Sequence, residues 1–296
     1  MRRVPFVQAD VFSDSPFGGN PVVVITDADE MTTDDMLAVA RGMNFAETGF
    51  VLPATTSEAD WRLRAFTPAT EVPFSGHLIL GATYVLMTQD ETPRHRIVVE
   101  TDVGYLPVDA DIENGNVTRV VVTERAPQFG RTVADVADLA AALGLAPERI
   151  GADGLTPQVV DAGLPTLVIP LASRNDVGHV APTTLEEICR RVGASVVNVF
   201  TRETLKPEHT VYVRVFAPLL GVPEDPATGS ANAALAAYLV RHGAIPAAPA
   251  ARISAEQGYA VGRPSLIVVD VLARGDDLEL RVGGRVARAA EGVIYF

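Results

Sequence analysis

The sequence has a single cysteine, Cys189, among its 296 residues. One thiol excludes an intrachain disulfide, a Cys-rich metal site and any chemistry that needs two thiols in one chain. Basic residues are also scarce, because 24 Lys and Arg stand against 37 Asp and Glu for a net charge of −13. This charge repels phosphate backbones and anionic lipid headgroups, and no cluster of Lys and Arg offsets it. We therefore expect neither nucleic acid nor a membrane among the partners.

Long apolar runs are missing as well. None approaches the ~18 residues of a membrane-spanning helix, and the opening MRRVPFVQADVF contains no apolar segment of the kind found in secretory signals. Apolar residues still make up 48% of the chain, which is enough for a sizeable core. These features predict a globular protein of the cytoplasm.

Several catalytic motifs are absent. The sequence contains no P-loop, no G-x-G-x-x-G turn opening a helix, no H-E-x-x-H zinc motif and no G-x-S-x-G elbow. Its five histidines show no spacing typical of a metal site. Phosphoryl transfer, hydride transfer, zinc hydrolysis and serine-triad chemistry therefore lose support, and we expect no metal.

An internal repeat has a period of about half the chain. Residues 64–68 read RAFTP and residues 214–218 read RVFAP, an offset of 150. A Val-Pro pair follows each copy at the same distance, at 72–73 and at 222–223. Because self-similarity at a fixed offset indicates duplication, we interpret the chain as two copies of one unit.

A second set of matches occurs in the same order in both halves, at nearly the same offset as the first. Threonine pairs at 32–33 and 183–184 are each followed by acidic residues and an apolar helical pattern, which predicts two helix starts. Gly42 and Gly193 follow at the same offset of 151 and are predicted to end these helices.

The coarse element pattern favours an α+β fold. Short β-branched runs outnumber the helical stretches, and the helices are too few for a continuous βαβ alternation. We predict two pseudo-symmetric halves with mixed or antiparallel sheets, at residues 1–124 and 132–285. The C-terminal strand, 286–296, is a candidate to complete the N-terminal half.

Two helix starts stand out as candidate binding groups. Gly76-His77 and Gly229-Ser230 each open an Ala- and Leu-rich stretch, the second after three extra residues, where EDPATGS replaces the shorter FSGH. The first N–H groups of a helix lack intrahelical partners and carry a partial positive charge, which suits an anion. Two such starts in related halves could face each other across a small carboxylate. The same pattern also fits two ordinary capped helices.

Glu47 is a candidate proton-transfer group. It lies in NFAETGFV between apolar residues, where partial desolvation would suit a carboxyl to take and return a proton. Its counterpart at the repeat offset of 151 is Asn198, so the function would reside in one half only. The local pattern fits equally well a glutamate that faces solvent on a strand edge.

Asp225 and His77 are further candidates at the two helix starts. Asp225 precedes Pro226, which biases it toward an extended backbone, and this pattern also fits a simple turn. His77 corresponds to Ser230 in the repeat, and both are short polar groups that could contact a substrate or only complete a helix start.

The chain resembles a known family across roughly residues 6–294. The blocks GNPVVVI, ETGFV, RAFTPATEVPFSGH, EDPATGSA, EQGYAVGRPS and RVGGRV are similar to those of the PhzF-like phenazine biosynthesis family. The resemblance implies the fold of diaminopimelate epimerase, in which two similar halves each wrap a sheet around a central helix. That epimerase uses two cysteines as acid and base, which a chain with one cysteine cannot reproduce.

The resemblance also implies roles for matching residues. Glu47 in ETGFV matches the general acid/base, and His77 and Asp225 match active-site residues of the family. Ser230 matches the active-site serine of the family. Together with Gly76 and Gly229 at the two helix starts, it is expected to bind substrate. The implied enzyme is an isomerase without cofactor or metal that acts as a homodimer.

The implied reaction is the isomerisation of trans-2,3-dihydro-3-hydroxyanthranilate or of a similar small unsaturated acid in phenazine or antibiotic biosynthesis. Three alternatives stay open at this point. They are a double-bond isomerase of pyrroline carboxylates, an amino-acid racemase or epimerase, and a non-catalytic protein that binds a small acid.

Overall fold

The computed structural model describes residues 3–89, 93–246, 249–275 and 277–295. Contacts divide the chain into two units. The first is Met1–Val122 with Gly283–Phe296, and the second is Thr123–Val282. Residues 1, 2 and 296, which the sequence-based boundaries include, lie outside the described residues. No helix among the described segments is both long and apolar enough to cross a bilayer.

The secondary structure of the described residues is rich in strands. In chain order the strands are β1 (Arg3–Val11), β2 (Asn20–Ile25), β3 (Thr48–Pro53), β4 (Trp61–Phe66), β5 (Glu71–Val72), β6 (Arg96–Thr101), β7 (Gly104–Glu113), β8 (Asn116–Thr123), β9 (Gln128–Thr132), β10 (Gln158–Asp161), β11 (Pro165–Pro170), β12 (Val196–Thr201), β13 (Val211–Ala217), β14 (Val222–Asp225), β15 (Ala250–Gln257), β16 (Ser265–Arg274), β17 (Asp277–Gly284) and β18 (Val286–Tyr295). The helices are α1 (Thr33–Met43), α2 (Gly76–Met87), α3 (Ala137–Leu143), α4 (Arg174–His179), α5 (Leu185–Val192) and α6 (Gly229–Arg241).

The first unit has a mixed sheet. β18 pairs with β1, β1 with β2, β3 with β4 and β6 with β7, all antiparallel. The pairs β2–β3 and β4–β6 are parallel. β18 thus joins the sheet of the N-terminal residues through its long pairing with β1.

Helix α2 is the central helix of the first unit. It packs against β1, β2, β3 and β18, and eight of its twelve residues are buried. A helix covered on most sides must be apolar around its circumference, as GHLILGATYVLM is. Gly81 allows the close approach of β2, because a Cβ at that position would lie 2.6 Å from Val22 Cγ2. This packing fixes the position of the α2 start.

The second unit repeats this architecture. β10 pairs antiparallel with β9 and β11, the pairs β11–β12 and β13–β15 are parallel, and β12–β13 and β15–β16 are antiparallel. Helix α6 packs against β10, β11, β12 and β16 with nine of its thirteen residues buried. Each unit therefore has a mixed sheet around an apolar helix, which confirms the predicted α+β class.

The ends of α1 and α5 agree with the sequence in part. Thr32 begins α1 with a complete capping box, and Thr184 begins α5. Gly193 ends α5 in the left-handed conformation with φ 76°, as predicted. The prediction that Gly42 ends α1 is wrong, because the helix continues past it to Asn44, which adopts φ 54°. Asn tolerates this region better than most residues.

Strand register corrects the predicted counterpart of Glu47. Thr48 in β3 and Val197 in β12 each pair with the phenylalanine of the repeated segment, so these two residues are equivalent. The residue before each is Glu47 in the first unit and Val196 in the second. The prediction of Asn198 is therefore wrong by two positions, and a buried apolar residue occupies the place of Glu47.

The strand register also shows that the three extra residues of the second unit lie before Asp225, not within the EDPATGS segment. Val72 pairs with β4 at the position where Asp225 pairs with β13, so the Val-Pro pair at 222–223 is not the counterpart of the pair at 72–73. A register shift in the β13–β14 pair absorbs the extra residues ahead of Asp225. Segment 71–77 (EVPFSGH) consequently aligns with segment 224–230 (EDPATGS) at an offset of 153.

Candidate functional site

In the first unit, Glu47, Ser75 and His77 form one cluster at the start of α2. Glu47 directly precedes β3, and Ser75 is the N-cap residue of α2. The Ser75 hydroxyl donates a hydrogen bond to Glu47 Oε2, and His77 Nε2 lies 3.4 Å from the same oxygen. Two of the residues singled out by sequence, Glu47 and His77, are thus brought together.

The cluster leaves one carboxylate oxygen of Glu47 available. Oε2 contacts both Ser75 and His77, whereas Oε1 has no hydrogen-bond partner among the described residues. The Glu47 side chain is 20% exposed and that of His77 is 17% exposed, so both are partly covered yet reachable by a small molecule. A carboxyl group held by one oxygen and open at the other can exchange a proton with a bound ligand.

Ser75 links this cluster to the helix. Its Oγ accepts a hydrogen bond from the Leu78 N–H at 3.4 Å while its own proton goes to Glu47. His77 Nδ1 lies 3.5 Å from the same hydroxyl oxygen. Sequence reasoning missed Ser75, although a serine before a Gly-opened helix is a standard N-cap signal that could have identified it.

In the second unit, Asp225 and Thr228 form the corresponding pair. Thr228 is the N-cap residue of α6 and aligns with Ser75 in the corrected register. Its hydroxyl donates to Asp225 Oδ2 at 2.5 Å and caps no helix N–H. Each unit thus has a carboxylate bonded to an N-cap hydroxyl. The carboxylate comes from the residue before β3 in the first unit and from β14 in the second.

The first backbone N–H groups of α2 and α6 are not capped by side chains in the part of the chain that the structure describes. The N–H groups of Gly229, Ser230 and Ala231 in α6 donate to no side chain among the described residues, and the same holds for Gly76 and His77 in α2. Intrahelical acceptors are unavailable to the first N–H groups of a helix. Gly76, Gly229 and Ser230 therefore present the donors that bind an anionic or polar group well.

Gln257 at the end of β15 fixes the loop that carries Asp225. Its Nε2 donates to the Asp225 carbonyl at 2.7 Å and to Thr228 Oγ1 at 3.2 Å. Its Oε1 accepts from the Thr228 N–H at 3.2 Å and from Asn232 Nδ2 at 2.8 Å. This fully buried amide thus satisfies four groups at once. Sequence reasoning missed its role, and the only available signal was the conspicuous block EQGYAVGRPS.

The same block supports Pro226. Gly258 adopts φ 82°, and a Cβ there would lie 2.2 Å from the Arg263 carbonyl oxygen and 2.6 Å from that of Pro226. Ser265 Oγ donates to the Pro226 carbonyl at 3.0 Å and to that of Arg263 at 2.9 Å. The segment after β15 thereby forms a rigid base under the loop before α6.

A repeated ion pair holds the strand before each helix start. Arg64 donates to both oxygens of Glu71 at 2.6 and 2.7 Å, and Arg214 does so to Glu224 at 3.0 and 2.7 Å. Arg214 additionally donates to the Val180 carbonyl at 2.9 Å. Bidentate pairs fix geometry as well as charge. In the second unit the pair immediately precedes Asp225 and so orients it.

Among the described ranges, no group of three or more His, Cys, Asp or Glu residues could hold a metal ion.

Cys189 is buried, and burial raises the pKa of its thiol to about 11, with the neighbouring Arg190 opposing the rise.

Sequence comparison identifies relatives that cover the whole chain. The family model PhzC-PhzF, described as phenazine biosynthesis-like protein, matches residues 9–292. A trans-2,3-dihydro-3-hydroxyanthranilate isomerase from Pseudomonas chlororaphis is 34% identical over 98% of this chain and 98% of its own. An uncharacterized isomerase from Mesorhizobium japonicum is 32% identical over 100% of both chains.

Solved structures share the fold. A PhzF-family phenazine biosynthesis protein from Bacillus anthracis has a TM-score of 0.90 at 24% identity and covers 100% of both chains. A hydroxyproline epimerase from Agrobacterium vitis has a TM-score of 0.62 at 15% identity, covers 99% of this chain and 91% of its own, and is similar in fold alone. The relatives' names support an isomerase, and this chain is one. It belongs to the PhzC-PhzF family of phenazine biosynthesis-like proteins.

Proposed function

We propose that this isomerase moves a proton, and with it a double bond, in a small unsaturated amino or hydroxy carboxylic acid, with Glu47 as general acid/base and without a cofactor. The substrate class is that of trans-2,3-dihydro-3-hydroxyanthranilate, the compound in the name of the Pseudomonas chlororaphis relative. One observation carries the proposal: Ser75 holds Glu47 through Oε2, the His77 ring lies beside the same oxygen, and Oε1 has no partner among the described residues.

Glu47 would act twice in one turnover. As a carboxylate it takes a proton from a carbon next to the conjugated system, and the electron pair of the broken C–H bond shifts into that system. As a carboxylic acid it returns a proton to a different carbon, and the double bond moves. The net change is zero protons, so the enzyme ends as it began. Catalysis of this kind contributes about 10²–10⁴-fold, and positioning supplies the rest.

Ser75 and His77 would position the glutamate. The Ser75 hydroxyl fixes Oε2 and thereby directs Oε1, while the His77 ring beside the same oxygen restricts rotation of the carboxyl group. His77 would also hydrogen-bond an amino or hydroxyl group of the substrate. Fixing the reacting groups in this way reduces the entropy cost of reaching the transition state.

The starts of α2 and α6 and the strand before α6 supply the remaining assigned residues. We assign the N–H groups of Gly229 and Ser230, with the Ser230 hydroxyl, to binding of a substrate carboxylate, and those of Gly76 to a polar substrate group. Asp225, oriented by Thr228 and Gln257, is assigned to hydrogen-bond a substrate amino group. Binding the carboxylate with backbone dipoles explains how a chain of charge −13 can take an anionic substrate.

The register of the repeat favours a double-bond isomerase over an amino-acid racemase. A racemase needs a proton-transfer group on each face of a stereocentre. The structural counterpart of Glu47 is Val196, which has no ionisable group. The carboxylate of the second unit, Asp225, is assigned above to hydrogen-bond a substrate amino group. The family resemblance further supports a homodimer acting in secondary metabolism in the cytoplasm, and light scattering of the purified protein would measure the oligomeric state.

Steady-state kinetics of Glu47→Gln test the proposal. The variant keeps the size and the Ser75 contact of the side chain but cannot carry a proton, so kcat should fall by at least about 10²-fold. Glu58→Gln is a matched control in the same unit, because Glu58 is exposed, and it should retain full activity. Wild-type kcat in Glu47→Gln would refute the assignment of the general acid/base.

A further inference from the structure

Glu124 lies beside the start of α6 and has no role in the reaction described above. It follows β8, and its N–H donates to the Leu280 carbonyl at 2.9 Å. Its Oε2 lies 3.1 Å from the position that a Cβ on Gly163 would occupy, and the Cβ of Ser230 lies at the same distance from that point. The Glu124 carboxyl and the side chain of Ser230, the second residue of α6, therefore both border the position beside Gly163.

Gly163 borders the space between Glu124 and Ser230, and hydrogen bonds hold its backbone in place. It adopts φ 134°, a conformation that favours glycine, and with no side chain at this position nothing from residue 163 fills the space between Glu124 and Ser230. Asp161 Oδ1 accepts the Gly163 N–H at 2.9 Å. Arg125 Nη2 donates to the Gly163 carbonyl at 2.9 Å and to Asp161 at 3.0 Å. These bonds fix the backbone of Gly163 between Glu124 and Ser230.

The neighbouring Arg125 offsets the charge of the Glu124 carboxyl only in part. Arg125 forms its ion pair with Asp161, and Glu124 has no hydrogen-bond or ion-pair partner for its side chain among the described residues. The first turn of α6 contains no acidic or basic residue. Burial raises the pKa of Glu124 to about 7, with Arg125 opposing the rise. Near neutral pH the group therefore exists in both its neutral and its anionic form.

We propose that Glu124 is a further substrate-binding residue, which admits a carboxylate at the α6 start only when its own carboxyl carries a proton. The neutral acid can donate its O–H to the incoming carboxylate, whereas the Glu124 anion repels it. Above neutral pH, binding then takes up one proton from solvent and places it on Glu124. The inference rests on the assignment of Gly229 and Ser230 as the carboxylate site and adds a pH-dependent selectivity to that site.

Calorimetric titration with anthranilate, a small aromatic amino acid that need not react, tests this inference. The titrations are run with wild type, Glu124→Gln and Glu208→Gln in Tris and in imidazole buffers, whose ionisation enthalpies differ, so that proton uptake is measured directly. Gln resembles the neutral acid in shape. Glu208 is an exposed glutamate of the same unit and serves as the matched control.

The expected result is proton uptake by wild type and Glu208→Gln at about pH 8 and none by Glu124→Gln. The wild-type Kd should rise about tenfold per pH unit above neutrality, while that of Glu124→Gln stays constant. Equal proton uptake by wild type and Glu124→Gln would overturn the inference, as would absence of anthranilate binding to wild type at about pH 6. Because no turnover is needed, failure of the Glu47 assignment would leave this result unaffected.

Discussion

Ser75 donates its hydroxyl proton to Glu47 and accepts the Leu78 N–H with the same oxygen. One side chain therefore both begins α2 and orients the carboxyl group assigned to proton transfer. The second unit separates these tasks, because Thr228 bonds to Asp225 and caps no N–H of α6. The first unit thus couples helix stability to the geometry of Glu47, which makes Ser75 the first residue to test.

Ser75→Ala should lower both activity and stability. Loss of the cap costs ~1 kcal/mol of the free energy of unfolding, and loss of a hydrogen bond to a carboxylate costs about 1.5–3 kcal/mol in positioning, so kcat should fall at least about tenfold. Ser75→Thr retains the hydroxyl and is the control. Kinetics and urea unfolding measure the two effects, and full activity of Ser75→Ala would show that Glu47 needs no such contact.

Gln257→Ala should destabilise the second unit. The substitution removes the four hydrogen bonds that the buried Gln257 amide makes with Asp225, Thr228 and Asn232. We expect a loss of about 2–4 kcal/mol in the free energy of unfolding, measured with urea. Gln128 in β9 is exposed and serves as the control in the same unit, because Gln128→Ala should change stability by less than ~0.5 kcal/mol. Equal stability of Gln257→Ala and Gln128→Ala would contradict the bonding described for Gln257.

Alanine substitutions at Gly258 and Gly262 distinguish the cost of backbone strain from the cost of steric overlap. Both have positive φ, 82° at Gly258 and 70° at Gly262, so alanine costs ~1 kcal/mol at each through conformation alone. Only at Gly258 does the new Cβ meet backbone atoms, at 2.2 Å from the Arg263 carbonyl oxygen. Thermal unfolding should therefore show a much lower Tm for Gly258→Ala than for Gly262→Ala, and equal Tm values would contradict the close approach.

Cys189 should be inert in the folded protein. Its side chain is fully buried in α5, and burial raises the pKa of the thiol to about 11, so the reactive thiolate is scarce at about pH 8. A chromogenic disulfide reagent should label no thiol under native conditions and one per chain in urea. Rapid native labelling would show that α5 opens far more readily than its packing indicates.

The sequence revealed the architecture better than it revealed the site. In both units the arginine of the repeat pairs with a glutamate and lies over the ring of the repeated phenylalanine. The two residues are identical in the two copies, so the duplication was visible. The Val-Pro match at 222–223 misled, because a register shift in the β13–β14 pair moves Asp225 into the place of Val72. A local pattern does not disclose strand register, which depends on pairing with a distant segment.

The supporting residues were hidden for a similar reason. Gln257 lies 32 residues after Asp225, and only the parallel pairing of β13 and β15 brings their segments together. Asn44 ends α1 in place of Gly42, since the helix pattern alone leaves the end uncertain by about one or two residues. Glu47 and His77 were predictable as individual polar residues, whereas their contact through Ser75 required the fold.

Turnover of trans-2,3-dihydro-3-hydroxyanthranilate in deuterated water tests the central claim most directly. Wild type and Glu58→Gln should form product with solvent deuterium at the carbon that gains hydrogen, because the Glu47 carboxyl exchanges with solvent between its two steps. Glu47→Gln should form neither product nor label while unfolding at the same urea concentration as wild type. Deuterium incorporation by folded Glu47→Gln at the wild-type rate would contradict the account.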